Sequence, residues 1–296
     1  VAGPDGEAPM SPEEAEVAAR ENTRETLDEY FDFVDDLERK DWFVQYLNTI
    51  VEEFDPHTYY FAPEDKERFD MSMSGKFEGI GARLQKRSEG AKIVEIISGG
   101  PVWRDQRLEV GDEILKVGQD GEQPVNIVGM RLDDAIKLIK GPKGTVVDLT
   151  VRKVDGTVEV ISLTRDVVEL EESFAKSSVI RKDNEKFGLI HLPKFYVDFE
   201  DYNERNAATD IAQEIERLKE EGIEGLVLDL RDNGGGSLKT VVDIAGLFIE
   251  DGPIVQVRSS AREKEIYEDK DERIQWDGPL VILVNELSAS ASEILA

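Results

Sequence analysis

The spacing of apolar residues changes period along the chain, and each change marks a new region. Leu27, Tyr30, Phe31 and Val34 recur at helical spacing, as do Trp42, Phe43, Tyr46, Leu47, Ile50, Val51 and Phe54. Ser11-Pro12-Glu13-Glu14 starts the first helix with an N-cap serine, a proline at the first helical position and a capping-box acid. Asp55-Pro56-His57-Thr58 then turns the chain. Residues 1–75 are expected to form a helical region whose apolar faces pack on something else. Its first residues, 1–9, read as a linker or processed start.

From Gly79 the segments shorten and alternate, as in a β-rich module over residues 76–168. Gly79-Ile80-Gly81-Ala82 is a glycine-flanked loop entering a strand, and Val94–Ile97 is the next strand. Val110-Gly111-Asp112-Glu113-Ile114-Leu115 follows with its own strand. A helix over Leu132–Ile139 stops at Gly141-Pro142-Lys143-Gly144, and strands Val146–Arg152 and Thr157–Thr164 close the unit. Backbone N–H groups of such a glycine loop can capture a terminal carboxylate, with the peptide adding as an extra strand beside it. An ordinary turn before a strand would use the same glycines.

Residues 169–296 read as α/β. Strands are expected at Gly188–Leu192, Gly225–Leu230, Ile254–Val257 and Leu280–Val284, the last as a strand buried on both faces. Between them lies a helix over Asn203–Glu221, with Ala208, Ile211, Ile215 and Leu218 on one side and Gly222 behind it. Another follows the glycines, with Leu238, Val241, Val242, Ala245 and Phe248 inward. The alternation implies a largely parallel sheet with helices on its faces.

Two features fall at strand ends here, where open α/β sheets bind ligands. Gly234-Gly235-Gly236 exposes consecutive N–H groups without side-chain obstruction, which suits oxyanion stabilisation. After Leu280–Val284, Ser288, Ser290 and Ser292 alternate with alanine on a strand-to-helix elbow, where hydrolases hold a nucleophile. Only Ser290 has an acid three residues on, Glu293, so only Ser290 fits a capping box at the mouth of a helix. Ser288 is expected in the turn before it, and Ser292 in the first helical turn with its side chain directed away from the glycines. Each feature alone could be a plain turn or a helix cap.

Composition narrows the chemistry. The 296 residues exceed one ordinary core. A formal charge of −29 argues against nucleic-acid or anionic-membrane partners, since phosphates would be repelled. No cysteine is present, which excludes thiol catalysis, disulfides and Cys-ligated metal. Two histidines, His57 and His191, exclude a multi-histidine zinc site. His57 reads as a turn residue and His191 as a core or surface residue. No apolar run is long enough to span a bilayer.

The glycine loop at 79–82, the Val110–Leu115 block and the helix running into Gly141-Pro142-Lys143-Gly144 resemble a PDZ domain of bacterial processing proteases. Over about residues 42–296, helical region, PDZ-like module, triple glycine and the serine motif resemble the C-terminal processing peptidases, family S41, and within them the tail-specific periplasmic proteases. That resemblance implies a multidomain α+β fold with an incomplete α/β serine-protease core of the crotonase/ClpP type. Ser290 would be the nucleophile, with oxyanion donors on the backbone of Gly235, Gly236 and Ala291. Gly79, Ile80, Gly81 and Ala82 would hold the substrate's terminal carboxylate. The implied substrates are proteins or peptides with apolar C-termini, with an adaptor lipoprotein as a further candidate partner, no cofactor, and the bacterial periplasm or inner-membrane side of the envelope as location. The family's general base is a lysine on a strand after the serine motif, whereas this sequence ends at Ala296; Lys239, the only lysine near the glycines, is not expected to replace it.

The sequence also leaves two other classes open. One is a non-catalytic PDZ module on an inert scaffold. The other is acyl-CoA chemistry on a crotonase-like core, against which the PDZ-like module argues.

Overall fold

A computed structural model describes residues 11–87, 90–119, 121–260 and 262–296. The linker expected over 1–9 lies outside these residues. The chain divides into two compact units, 1–66 and 67–296.

In the first unit, α1 (Pro12–Asp36) opens as the sequence demands. Ser11 Oγ accepts from Glu14 N at 3.3 Å and Glu14 Oε2 accepts from Ser11 N at 2.9 Å. Helix α2 (Arg39–Glu52) follows, and the chain after it is tied back by Asn48, which donates to Tyr60 O and accepts from Tyr60 N at 2.7 Å. Asp55 holds the turn by accepting from the His57 N–H and the Thr58 hydroxyl. Trp42, Phe43 and Tyr46 remain more than half exposed, so this unit does not bury its own aromatic face. Helix α3 (Pro63–Ser74) leads on.

The second unit has two cores. Strand β1 (Lys76–Gly79) precedes β2 (Ala82–Arg87), β3 (Gly90–Ile96), the short α4 (Pro101–Asp105), β4 (Glu113–Gln119), β5 (Val125–Asn126), α5 (Leu132–Ile139), β6 (Val146–Arg152) and β7 (Val158–Thr164). These form an antiparallel sheet in the order β2-β3-β4-β6-β7, with β5 beside β4. Strand β6 shows the two-residue period that drives the packing: Val147, Leu149 and Val151 are wholly buried. They meet Ile93, Ile114, Ile161 and the inner side of α5. Strand β8 (Asp166–Glu169) pairs with β1.

The second core is built on β9 (Lys176–Lys182), β10 (Glu185–His191), α6 (Ala207–Glu220), β11 (Gly225–Asp229) and α7 (Leu238–Ala245). Strands β12 (Gly252–Val257), β13 (Glu265–Asp269) and β14 (Leu280–Leu283) and helix α8 (Ala291–Leu295) complete the chain. The sheet order is β14-β11-β10-β9, with β14, β11 and β10 parallel and β9 antiparallel. Ile190, Leu226, Leu228 and Leu230 bury one face against Ile211, Ile215 and Leu218 of α6 and Val241 and Ile244 of α7.

Three expectations need correction. Strand β12 does not join the parallel sheet; it pairs with β13 as a separate hairpin, whose charged second strand gave no apolar signal. Strand β14 leaves Val281 54% exposed, so one of its faces is open where burial on both was expected. Helix α6 starts at Ala207, because Asn206 caps it by accepting from the N–H groups of Ala208 and Thr209. Strand β9, whose alternate residues are polar and exposed, was not anticipated. Among the described residues no helix is long and apolar enough to cross a membrane.

Candidate active site

Strands β11 and β14 are parallel neighbours, with Asp229 opposite Leu283, so the loops that follow them leave the sheet side by side. Hydrogen bonds lace these loops together. Leu230 N donates to Leu283 O, and the Ser288 hydroxyl donates to Leu230 O at 2.8 Å. The Asn285 side chain reads Asp232 in both directions, donating to its carboxylate at 2.7 Å and accepting its N–H at 2.9 Å. Ala289 N and the Ser292 hydroxyl both donate to Asn233 O, at 3.1 and 2.8 Å.

The glycines are required by close approach. A Cβ on Gly236 would stand 2.4 Å from Phe195 O, and one on Gly235 would stand 2.8 Å from Ser290 Cβ. Both residues also have positive φ, +107° at Gly235 and +146° at Gly236. Phe195 clamps the loop by donating to Gly235 O and accepting from Ser237 N, each at 3.0 Å.

Ser290 stands directly across from Gly235 with φ 56° and ψ −114°, an unfavourable conformation for a residue with a Cβ. Glu293 holds it there, accepting from Ser290 N at 2.6 Å. The expected capping box is therefore present, with the Ser290 side chain facing the Glu293 N–H without a full hydrogen bond to it, and Ser290 is exposed. Its two neighbours are committed: Ser288 to Leu230 O and Asn285, and the fully buried Ser292 to Asn233 O. Ser292 thus points to the base of the glycine loop and not away from it, because the short elbow brings its side chain against the Asn233 carbonyl.

Of the expected backbone donors, Gly235 N–H is already taken, donating to Asn233 Oδ1 at 2.9 Å. Among the described residues Gly236 N–H and Ala291 N–H have no partner. Ala291 N lies 3.2 Å from where a Gly235 Cβ would be, so one free donor borders the Gly235–Ser290 contact. Lys239 is drawn elsewhere, bonded to Asp243 Oδ2 at 2.6 Å over the Tyr202 ring. His191 is half-exposed, with Nδ1 4.0 Å from Asp229 Oδ2. The hydrogen bonds and charge of Arg231 hold the Asp229 carboxyl below its usual range. Asn233 was missed as a site residue. Its signal was an asparagine two residues before a glycine, the side chain that most readily bonds backbone two positions on.

The glycine loop at 79–82 sits at the other core. Ile80 O accepts from Val102 N and Gly81 O from Ile97 N, each at 2.9 Å, which pins the carbonyls to the β3–α4 turn. Among the described residues the N–H groups of Ile80 and Gly81 have no partner, and Gly81 has φ 79°. Ala82 begins β2, an edge strand beside α5, so an added strand would meet both the loop and the helix. Arg165, 3% exposed, fixes the end of α5 by donating to Leu138 O, Ile139 O and Val146 O and to the Thr145 and Gln119 side chains. Lys140 lays its stem against Gly79, and burial lowers its ammonium pKa. Among the described residues no cluster of acidic or histidine side chains could hold a metal.

Residues 186–296 match the model of peptidase family S41, residues 69–152 that of the PDZ domain, and residues 5–64 that of the tail-specific protease N-terminal domain. The tail-specific protease of Haemophilus influenzae is 37% identical over 252 residues, 85% of this chain and 35% of that protein. The carboxy-terminal processing protease CtpA of Bacillus subtilis is 32% identical over 244 residues, 82% of this chain and 48% of its own length. This chain therefore spans about a third to a half of these relatives. A crystal structure of the PDZ domain of a Vibrio cholerae carboxy-terminal protease in complex with a peptide is similar at 43% identity and a TM-score of 0.31. It covers 32% of this chain and 99% of its own.

Proposed function

The chain belongs to peptidase family S41, and we propose that it serves as a serine endopeptidase that engages proteins by their apolar C-termini. The observation that carries this reading is Ser290: an exposed serine on a strained elbow against Gly235, with an unpartnered N–H beside it. Ser290 Oγ would attack the scissile carbonyl, and Gly236 N–H and Ala291 N–H would receive the oxyanion. Gly235 would supply the clearance for close approach. A lysine, placed by the family resemblance after the serine motif, would take the hydroxyl proton as general base.

In this reading residues 1–75 form a helical region, 76–168 a PDZ domain and 169–296 the catalytic core. The free N–H groups of Ile80 and Gly81 support carboxylate capture, with Gly79 and Ala82 framing the loop and β2 accepting the tail as a strand. The cell envelope of a bacterium is the proposed location, and an adaptor lipoprotein a proposed partner. The test is turnover by the full-length protein of an unfolded substrate with an apolar C-terminus, compared with the same substrate amidated. Cleavage of the free acid that Ser290→Ala abolishes supports the reading. Peptide binding with no turnover would favour a non-catalytic tail-binding module.

A further inference from the structure

We propose that Asn233 is the positioning residue that locks the glycine loop to the serine elbow, an inference that rests on Ser290 being the nucleophile. The side chain is wholly buried and spends both ends of its amide inside the site. Nδ2 donates to Leu192 O at 2.9 Å, anchoring the residue to the segment that follows β10. Oδ1 accepts the Gly235 N–H at 2.9 Å. The Asn233 carbonyl receives two donors from the elbow, Ala289 N and the Ser292 hydroxyl, one on each side of Ser290.

Three segments therefore meet on one residue: the β10 end, the glycine loop and the serine elbow. The bond to Gly235 also decides which donor faces outward. With the Gly235 N–H turned inward onto Oδ1, the next peptide leaves Gly236 N–H free, and Gly236 is exposed where Gly235 is buried. Asparagine makes these two bonds from separate atoms of one amide, Nδ2 and Oδ1, and an ionised aspartate lacks the donor to Leu192 O. Asn233 touches no reacting atom and acts through the two loops.

The experiment uses the full-length protein and a fluorophosphonate probe, whose phosphonyl oxygen occupies the oxyanion position after reaction with the serine. Asn233→Ala is compared with wild type and with Ile215→Ala, a core truncation in α6 that controls for lost stability. Labelling by Asn233→Ala should slow by about 100-fold, the loss typical of one oxyanion donor. The 31P resonance of its adduct should shift, and amide exchange at Gly235 should lose its protection. Ile215→Ala should label within a few-fold of wild type, with an unshifted resonance. Equal labelling rates and 31P shifts in wild type and Asn233→Ala, or equal losses in both variants, would overturn the inference alone. A wild type that binds tail peptide yet takes no probe would overturn the nucleophile reading, and this inference with it.

Discussion

Gly235 and Ser290 are packed so closely that a single methyl group on the glycine would stand 2.8 Å from the serine Cβ. The contact joins the loop after β11 to the elbow before α8, and the proposed chemistry depends on it. Gly235→Ala should therefore damage function and fold together. The substituted residue would also carry φ 107°, a strain of about 1–3 kcal/mol. Thermal melts should show that loss, and fluorophosphonate labelling should fall to background. A variant with normal stability and labelling would mean that the loops can separate.

Tail binding should depend on the terminal carboxylate. Amidating an apolar C-terminal peptide removes the anion that the Ile80 and Gly81 N–H groups are proposed to hold. Calorimetry should show roughly 10- to 100-fold weaker binding, since a hydrogen bond to a charged group contributes about 1.5–3 kcal/mol. Equal affinities would place the peptide elsewhere.

Arg165→Met should loosen α5. The change leaves the buried Ile139 carbonyl without its donor and takes one donor each from Leu138 O and Val146 O, at a loss of about 1–3 kcal/mol. Gly141→Ala should act on the same contact, because its Cβ would stand 3.0 Å from the guanidinium. Both should weaken peptide binding and lower stability in denaturant titrations. Unchanged midpoints would remove Arg165 as the anchor of α5.

Asp166, opposite Gly79 in the β1–β8 pair, should contribute an acid-labile share of stability. The hydrogen bond from Arg104, then the Val167 N–H and Lys143, hold its carboxyl down to about 2, against an ordinary 3.8. A depressed folded-state value gives stability that is present above pH 3.8 and lost as pH falls through about 2. Arg104→Ala should lower stability at pH 7 and flatten the wild-type fall between those values. Parallel stability curves for the two proteins would contradict this.

Much of this organisation was legible in the sequence because local rules and tertiary packing agree there. Ser11 and Glu14 form the expected box, α5 stops before Gly141, and Gly222 closes α6 with φ 73°. The strand ends bearing the glycines and serines were readable because β11 and Leu280–Leu283 are short apolar runs flanked by turn residues. What failed was pairing. An apolar run does not say which strand lies beside it or what covers its faces, so β12 falls in a different sheet from the one expected and β14 leaves Val281 open. At the site, Gly235 was expected to offer its N–H, but its partner is a side chain two residues back. The direction of Ser292 likewise depends on a carbonyl some sixty residues earlier in the chain.

The most direct test of the account is to identify which serine becomes activated. The full-length protein is treated with a fluorophosphonate, digested, and the modified residue located by mass spectrometry in wild type and in Ser288→Ala, Ser290→Ala and Ser292→Ala. Adduct on Ser290 alone, lost only in Ser290→Ala and slowed but retained in the other two, is the expected result. Adduct on Ser292 or Ser288, or persistent labelling of a folded Ser290→Ala protein, would contradict it.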